Sequence, residues 1–455
     1  MTTKNDVVLE IFGLVLEHDL QKLRVLTREL SRYRDQPGIE KSRFEGTKRR
    51  GIPGFSGRLL PRWRSVVVTG GTGCVGRVVL GRLVKDLPNA RLSSISRHAP
   101  TADRRVAGVT YALGDVRNPV RVGQLLKAER PDLLVHLAAQ RDPSYAEDHV
   151  FETVSTNIVG SSVVLKAASE AGADTVVVAS TGKAVRLFTS DVYAATKKLV
   201  EYQAAVAARR YEMKVACARF THVVDNSIFG MRLVDWIAKG QPIRLHSPDS
   251  MLPVQSALEC YHLLTTAARV AELAPKGVAL RDLGWPPIDL LDMTLDYLDE
   301  TPNSLSPIIF TGHPSGYEEF AYPGTYDPLT AGEVSPLINC QEALRTAPSD
   351  ILGNYIDQWR LKTEQSSAVD HDLAVLIHAC HNATSDLEIR RHLRATSVSL
   401  LSLLIQSGSP EQLTRIHRLG RHHNTTIADH RLIHAQLSAY LDDAEVGKKS
   451  TYASS

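Results

Sequence analysis

The chain has 455 residues, 43% of them apolar and 23% charged, which exceeds one average domain and supplies enough apolar mass for a substantial core. A net charge of +3 is too small to announce a polyanion, so no nucleic-acid partner is expected, and the five scattered cysteines, Cys74, Cys217, Cys260, Cys340 and Cys380, form no CxxC pair and fit a reducing compartment. Lys4, Asp6 and Glu10 punctuate the N-terminus and no apolar run nears eighteen residues, so neither a secretory leader nor a membrane span is expected, and a cytoplasmic location is.

Residues 6–34 read as helical, with Leu20, Leu23, Leu26 and Leu30 on one broad apolar face, and 1–40 is assigned to an N-terminal helical extension. From 41 to 63 the chain carries Lys41, Arg43, Lys48, Arg49, Arg50, Arg58 and Arg62 against Glu45 alone, broken by Gly51, Pro53, Gly54 and Gly57. This reads as a solvated basic linker, the competing reading being an arm that grips phosphate.

Ser65-Val66-Val67-Val68-Thr69 is a β-branched run that breaks into Gly70-Gly71-Thr72-Gly73-Cys74-Val75-Gly76 and resumes as an apolar helix. Gly70 permits the tight turn, Gly73 lets backbone approach a pyrophosphate, and Gly76 allows close helix–strand packing, leaving the N–H groups around Cys74 and Val75 aimed at phosphate. The next strand, Arg91 to Arg97, ends where a carboxylate normally binds the adenosine 2′-hydroxyl. Ser96 and Arg97 stand there instead and suit a 2′-phosphate, so NADP(H) is expected, with NAD a possibility. Asp115, followed by Val116, is placed to accept from the adenine amino group, and Leu137, Ala138 and Ala139 end a buried strand with room for a cofactor.

Ser180-Thr181-Gly182-Lys183 and Tyr193-Ala194-Ala195-Thr196-Lys197 carry the chemistry. Tyr193 and Lys197 lie one helical turn apart, so an ammonium can lower the phenol pKa and fit it to take a proton from an alcohol, while Ser180 or Thr181 orients the same oxygen. From Asp350 to Asp443 the pattern is helical, and 336–455 is assigned to a C-terminal helical region that packs on the enzyme or on a second subunit, so a homo-oligomer is expected. Nine of the seventeen histidines lie there, without acidic or cysteine partners at closed-site spacing, and no metal is expected.

Thr69-Gly70-x-x-Gly73-x-x-Gly76, His136-Leu137-Ala138-Ala139, Thr156-Asn157-Ile158-Val159-Gly160 and Tyr193-x-x-x-Lys197 together resemble the extended short-chain dehydrogenase/reductases. Ser96-Arg97, Ser180 to Val185, His246 to Asp249, Asp282 to Pro287 and Thr311 to Glu319 resemble the polysaccharide-biosynthesis (CapD-like) branch, which includes inverting UDP-N-acetylglucosamine 4,6-dehydratases. The resemblance covers about residues 64–335 and implies a Rossmann-type α/β fold, a substrate region at about 220–335, and Asn157 among the cofactor-binding residues. It further implies a sugar or nucleotide-sugar substrate, oxidised transiently at Tyr193 with Lys197 on the ribose, then 4,6-dehydrated or epimerised with Lys183 as base. The chain departs from the branch at Gly182, where an aspartate serves as acid, and at His222, Leu252 and His313 to Gly316, where an asparagine and diphosphate-gripping arginines are usual. An NADP-dependent dehydrogenase of a small alcohol or ketone, and a cofactor-bound scaffold, are the alternatives.

Overall fold

In the computed structural model the described residues are 3–16, 18–52, 55, 63–273, 277–280, 287–301, 304–313, 355–358, 366–382, 385–421 and 428–453. They fall into two compact units, one of residues 1–52, 221–260 and 284–322, the other of 53–220, 261–283 and 323–455.

The larger unit is built on an eight-stranded sheet. Its strands are β1 (Ser65–Thr69), β2 (Arg91–Ser96), β3 (Val109–Leu113), β4 (Leu133–His136), β5 (Thr175–Thr181), β6 (Lys214–Phe220), β7 (Gly277–Leu280) and β8 (Tyr355–Gln358), in the spatial order 8-7-6-5-4-1-2-3. All neighbours pair in parallel except β7 and β8, which are antiparallel. Val66, Val67, Val68, Val176, Val177 and Val178 are completely buried, as expected of central parallel strands covered on both faces. The chain leaves β1 toward β2 on one side and reaches β4 on the other, so strand order reverses between β1 and β4, where α/β sheets open a ligand crevice. This is the Rossmann-type doubly wound architecture. Residues 355–358, expected in a helical region, instead form the edge strand β8; four residues are too few to show a period.

Helices Ser367–His381 and Asp386–Ser407 pack onto the short helix Val150–Val154 and the long helix Val192–Arg210, burying Leu376, Leu393, Leu400 and Leu403 against Val154, Ile158, Leu199 and Tyr202. Polar contacts fix the register. Tyr202 donates to Asp370 (2.5 Å), Asp386 accepts from the Val150 and Phe151 amides, and Arg390 pairs with Glu147 (2.6 Å).

In the smaller unit the N-terminal helices Lys4–Phe12, Leu20–Leu30 and Ile39–Thr47 bury Val7, Leu23, Leu30 and Phe44 in one core with Val224, Leu233, Ile243, Leu291 and Ile308. The N-terminal extension therefore shares a core with the expected substrate region. Residues 41–47, read from sequence as linker, are helical. Their charges and those just after are matched by carboxylates of the same unit: Lys41 by Glu300, Arg43 by Glu40, Lys48 by Glu45 (2.8 Å) and Arg50 by Glu259 (2.7 Å), whose carboxylate is almost fully buried. Lys41 and Arg50 tie the N-terminal segment to carboxylates far along the chain, whereas Arg43 and Lys48 pair with neighbours one turn away and Lys48 stays exposed to solvent. Arg58 and Arg62 lie outside the described residues.

Candidate active site

At the end of β1 the backbone turns at Gly70 (φ +73°), and a Cβ there would lie 2.8 Å from the Ala138 amide nitrogen beyond β4. A Cβ at Gly76 would strike the Gly70 carbonyl and the Gly71 backbone, and one at Gly71 would strike Ser94 on β2 and Leu80. Gly73 donates its N–H to the Gly70 carbonyl (3.0 Å) and heads helix Cys74–Asp86, which has no side-chain cap. Gly71 was missed in the sequence reading, although the doubled glycine was its signal. A loop that admits no Cβ, leading into an uncapped helix N-terminus, fits a dinucleotide pyrophosphate.

Ser96 is buried and its Oγ accepts from the Thr72 amide (3.4 Å), tying β2 to the glycine loop; Arg97 is exposed, 3.9 Å from Glu152. Asp115, expected on the adenine, is already held by Arg117, whose Nε and Nη2 donate to it at 3.0 and 2.6 Å, and this pairing keeps its carboxyl below the usual range. Val116 is buried against Gly160, where an added Cβ would lie 2.8 Å from it, so it packs the core beside the site. Asn157 sits in a π-helical turn, Ser155–Val159, of the kind that recurs at functional sites. Its amide accepts from the Gln140 N–H (2.8 Å) and donates to the Gln140 carbonyl (3.1 Å) and to Thr196 Oγ1 (3.0 Å). Asn157 thus joins the loop after Leu137, Ala138 and Ala139 to the tyrosine helix and acts as a brace. His136 bridges Thr69 (2.7 Å) and Ser161 (3.0 Å), and burial lowers its pKa to about 3, so it is a neutral core residue.

The reacting groups gather at the end of β5. Thr181 sits where its hydroxyl favours the ionised form of the Tyr193 phenol, Lys183 Nζ lies 3.4 Å from Asp191 Oδ2, and both members of that pair are mostly buried. Asp191 also caps helix Val192–Arg210 through the Ala194 amide (2.8 Å). Sequence reasoning passed over Asp191, which brings a carboxylate to the cluster that Gly182 fails to supply.

Three expectations change here. Burial raises the Tyr193 pKa and outweighs the Thr181 hydrogen bond and the Lys183 and Arg141 charges that lower it, so the phenol lies above its usual value. Lys197 donates to the Ala179 carbonyl (2.5 Å), and burial lowers its own pKa to about 8. The cation acting on Tyr193 is therefore Lys183 more than Lys197. Ser180 donates to Glu201 (2.6 Å), which also accepts from Arg219 at 2.8 and 2.7 Å; with its hydroxyl committed, Thr181 is the residue left to orient a substrate oxygen.

Outside elements hold this cluster in place. Glu147 accepts from the Val192 amide (2.8 Å) while pairing with Arg390, and Asp429 accepts from the Ser190 amide (2.7 Å) and hydroxyl. Two C-terminal helices thus anchor residues 190–192, just ahead of Tyr193.

Residues 66–250 match the family described as "Polysaccharide biosynthesis protein". The match spans less than half of the chain, and over that segment the chain is similar to polysaccharide-biosynthesis proteins. An uncharacterized membrane protein of Methanocaldococcus jannaschii is 28% identical over 247 residues, covering 52% of this chain and 71% of that one. UDP-glucose 4-epimerase of Rickettsia canadensis is 28% identical over 218 residues, covering 45% and 62%. Among solved structures, Pen from Bacillus thuringiensis superposes with a TM-score of 0.53 at 21% identity over 66% of this chain and 88% of that one, a likeness of fold. No helix among the described residues is long and apolar enough to cross a membrane.

In the smaller unit His246 and His313, both flagged by the family's order, come together with ring centroids 5.5 Å apart, and burial lowers the His246 pKa. His222 bonds Ser227 (3.0 Å), and Leu252 pairs with Ile288 in a short antiparallel ladder. Asp282 to Pro286 and Pro314 to Glu319 lie outside the described residues.

Proposed function

We propose that the protein binds NADP(H) and epimerises a nucleotide-linked sugar through transient oxidation of a ring hydroxyl. The observation that carries this reading is the cluster of Thr181, Tyr193, Lys183 and Asp191 beside the cofactor-fitting glycine loop. When bound, the nicotinamide would accept the two electrons and the hydrogen that leave the sugar carbon. Thr181 orients the hydroxyl and Tyr193 takes its proton. Lys197, on the same helix face, holds the ribose. Oxidation acidifies the carbon next to the new ketone, and Lys183 removes a proton there with Asp191 as its charge partner.

Gly182 decides between the two outcomes of this half-reaction. A hydroxide leaving group needs an acid, position 182 offers none, and the Asp191 carboxylate is engaged with Lys183 and a helix cap. Epimerisation needs no acid for a leaving hydroxide, only a proton delivered, from water or a group across the ring, to the face opposite Lys183 before hydride returns to the ketone, which favours epimerisation over 4,6-dehydration. The similarity to UDP-glucose 4-epimerase supports a nucleotide-linked substrate.

The test incubates the protein and NADP+ with a panel of UDP-sugars in deuterated water. Deuterium should enter at the carbon beside the transient ketone with no net NADPH, Lys183→Ala should stop that exchange, and Tyr193→Phe should lower turnover at least ~10²-fold with NADP+ affinity retained. One-for-one accumulation of NADPH without label would establish a dehydrogenase instead.

A further inference from the structure

At the end of β2 two arginines and two carboxylates form two unequal pairs. Arg117 grips Asp115 closely, through its backbone amide (2.9 Å) as well as its guanidinium. Arg97 meets Glu152 at only 3.9 Å, with both side chains well exposed (53% and 39%), so this is the pair that opens at small cost. Glu152 itself is fixed. Its second oxygen accepts from the Tyr145 hydroxyl (2.6 Å), and the Tyr145 ring is stacked on His149 at 3.9 Å. One Glu152 oxygen therefore faces Arg97 and the other is occupied, the arrangement of a counter-ion more than of an open ribose acceptor. Among the groups that would receive a ribose 2′-phosphate, Arg97 is the cation that can turn toward it, and Glu152 is what it must leave.

We propose that Glu152 is a specificity-determining residue, a built-in competitor for Arg97 that weakens binding of the 2′-phosphorylated dinucleotide and leaves the unphosphorylated one untouched. This rests on the reading that the dinucleotide lies over the glycine loop with its 2′-phosphate at Arg97. The phosphate carries about −1.5 to −2 charges near neutral pH, so a carboxylate beside its receptor both occupies the guanidinium and repels the incoming group.

Calorimetric titration of the full chain with NADP+ and NAD+ tests it in the wild type, Glu152→Gln, Arg97→Ala and the double variant. Gln keeps an oxygen for Tyr145, so the local fold is retained. Glu152→Gln should tighten NADP+ roughly three- to tenfold, leave NAD+ within about twofold, give a clearly smaller gain in the Arg97→Ala background, where only the direct repulsion is relieved, and lose most of its gain at about 0.5 M salt. NADP+ binding that is unchanged or weaker in Glu152→Gln, while Arg97→Ala still weakens it, overturns the role of Glu152 and leaves the placement of the phosphate standing. A loss of NAD+ affinity in Glu152→Gln makes Glu152 a ribose ligand and overturns the proposal. NADP+ affinity unaffected by Arg97→Ala removes the placement of the phosphate and the proposal together.

Discussion

At the scale of single residues, the site is surrounded by buried polar groups whose protonation is tied to folding. His136 titrates at about 3 in the folded chain, because burial and the Lys197 charge oppose its cationic form, and at about 6.5 unfolded. Between these values the unfolded chain binds a proton that the folded chain refuses, so stability falls as pH drops from 6.5 toward 3. Replacing it as His136→Gln should flatten this acid limb: between pH 6.5 and 4.5 the wild type should lose about 2 to 3 kcal/mol more than the variant in urea melts. An equal slope in both would assign the acid sensitivity elsewhere. Glu201 is a buried carboxylate held by Arg219 and by the Ser180 hydroxyl, and it explains why a serine that looks catalytic in sequence is spoken for.

At the scale of elements, the strand, glycine turn and helix were legible because each rests on local residue types: β-branched residues for β1, glycines where Cβ atoms would collide, and apolar periodicity in the helix behind. Tyr193 and Lys197 were legible for the same reason, through their spacing on one helix. What was not legible depends on partners distant in the chain. Lys41 and Arg50 looked solvated because Glu300 and Glu259 lie more than two hundred residues away. Asp191 carried no signal in the sequence, because only the fold at the end of β5 brings Lys183 beside it. The role of the C-terminal helices was equally hidden, since nothing local in Asp429 points to Ser190. Asp429→Ala should therefore lower turnover roughly tenfold by loosening the approach to Tyr193, with NADP+ affinity retained; undiminished turnover would make those helices a mere cover.

At the scale of the whole molecule, residues 1–52 complete the core of the smaller unit. A chain beginning at residue 53 would lack Val7, Leu23, Leu30 and Phe44, and the buried carboxylates of Asp296 and Glu259 would lose Arg34 and Arg50. Hydrogen exchange should then show amides of 221–260 and 287–310 losing protection while those of 65–220 keep it; protection retained in both would show that the smaller core stands without its N-terminal helices. That discontinuous core also imposes a timetable during synthesis. The first helices leave the ribosome with their apolar faces bare, and the strand that completes their core, Ile308–Phe310, follows some 250 residues later. At about 5–20 residues per second this interval lasts roughly 12–50 s, ample time for a chaperone to capture the N-terminus, so the yield of active protein in a cell would be set by how long those helices are sheltered before their partners emerge.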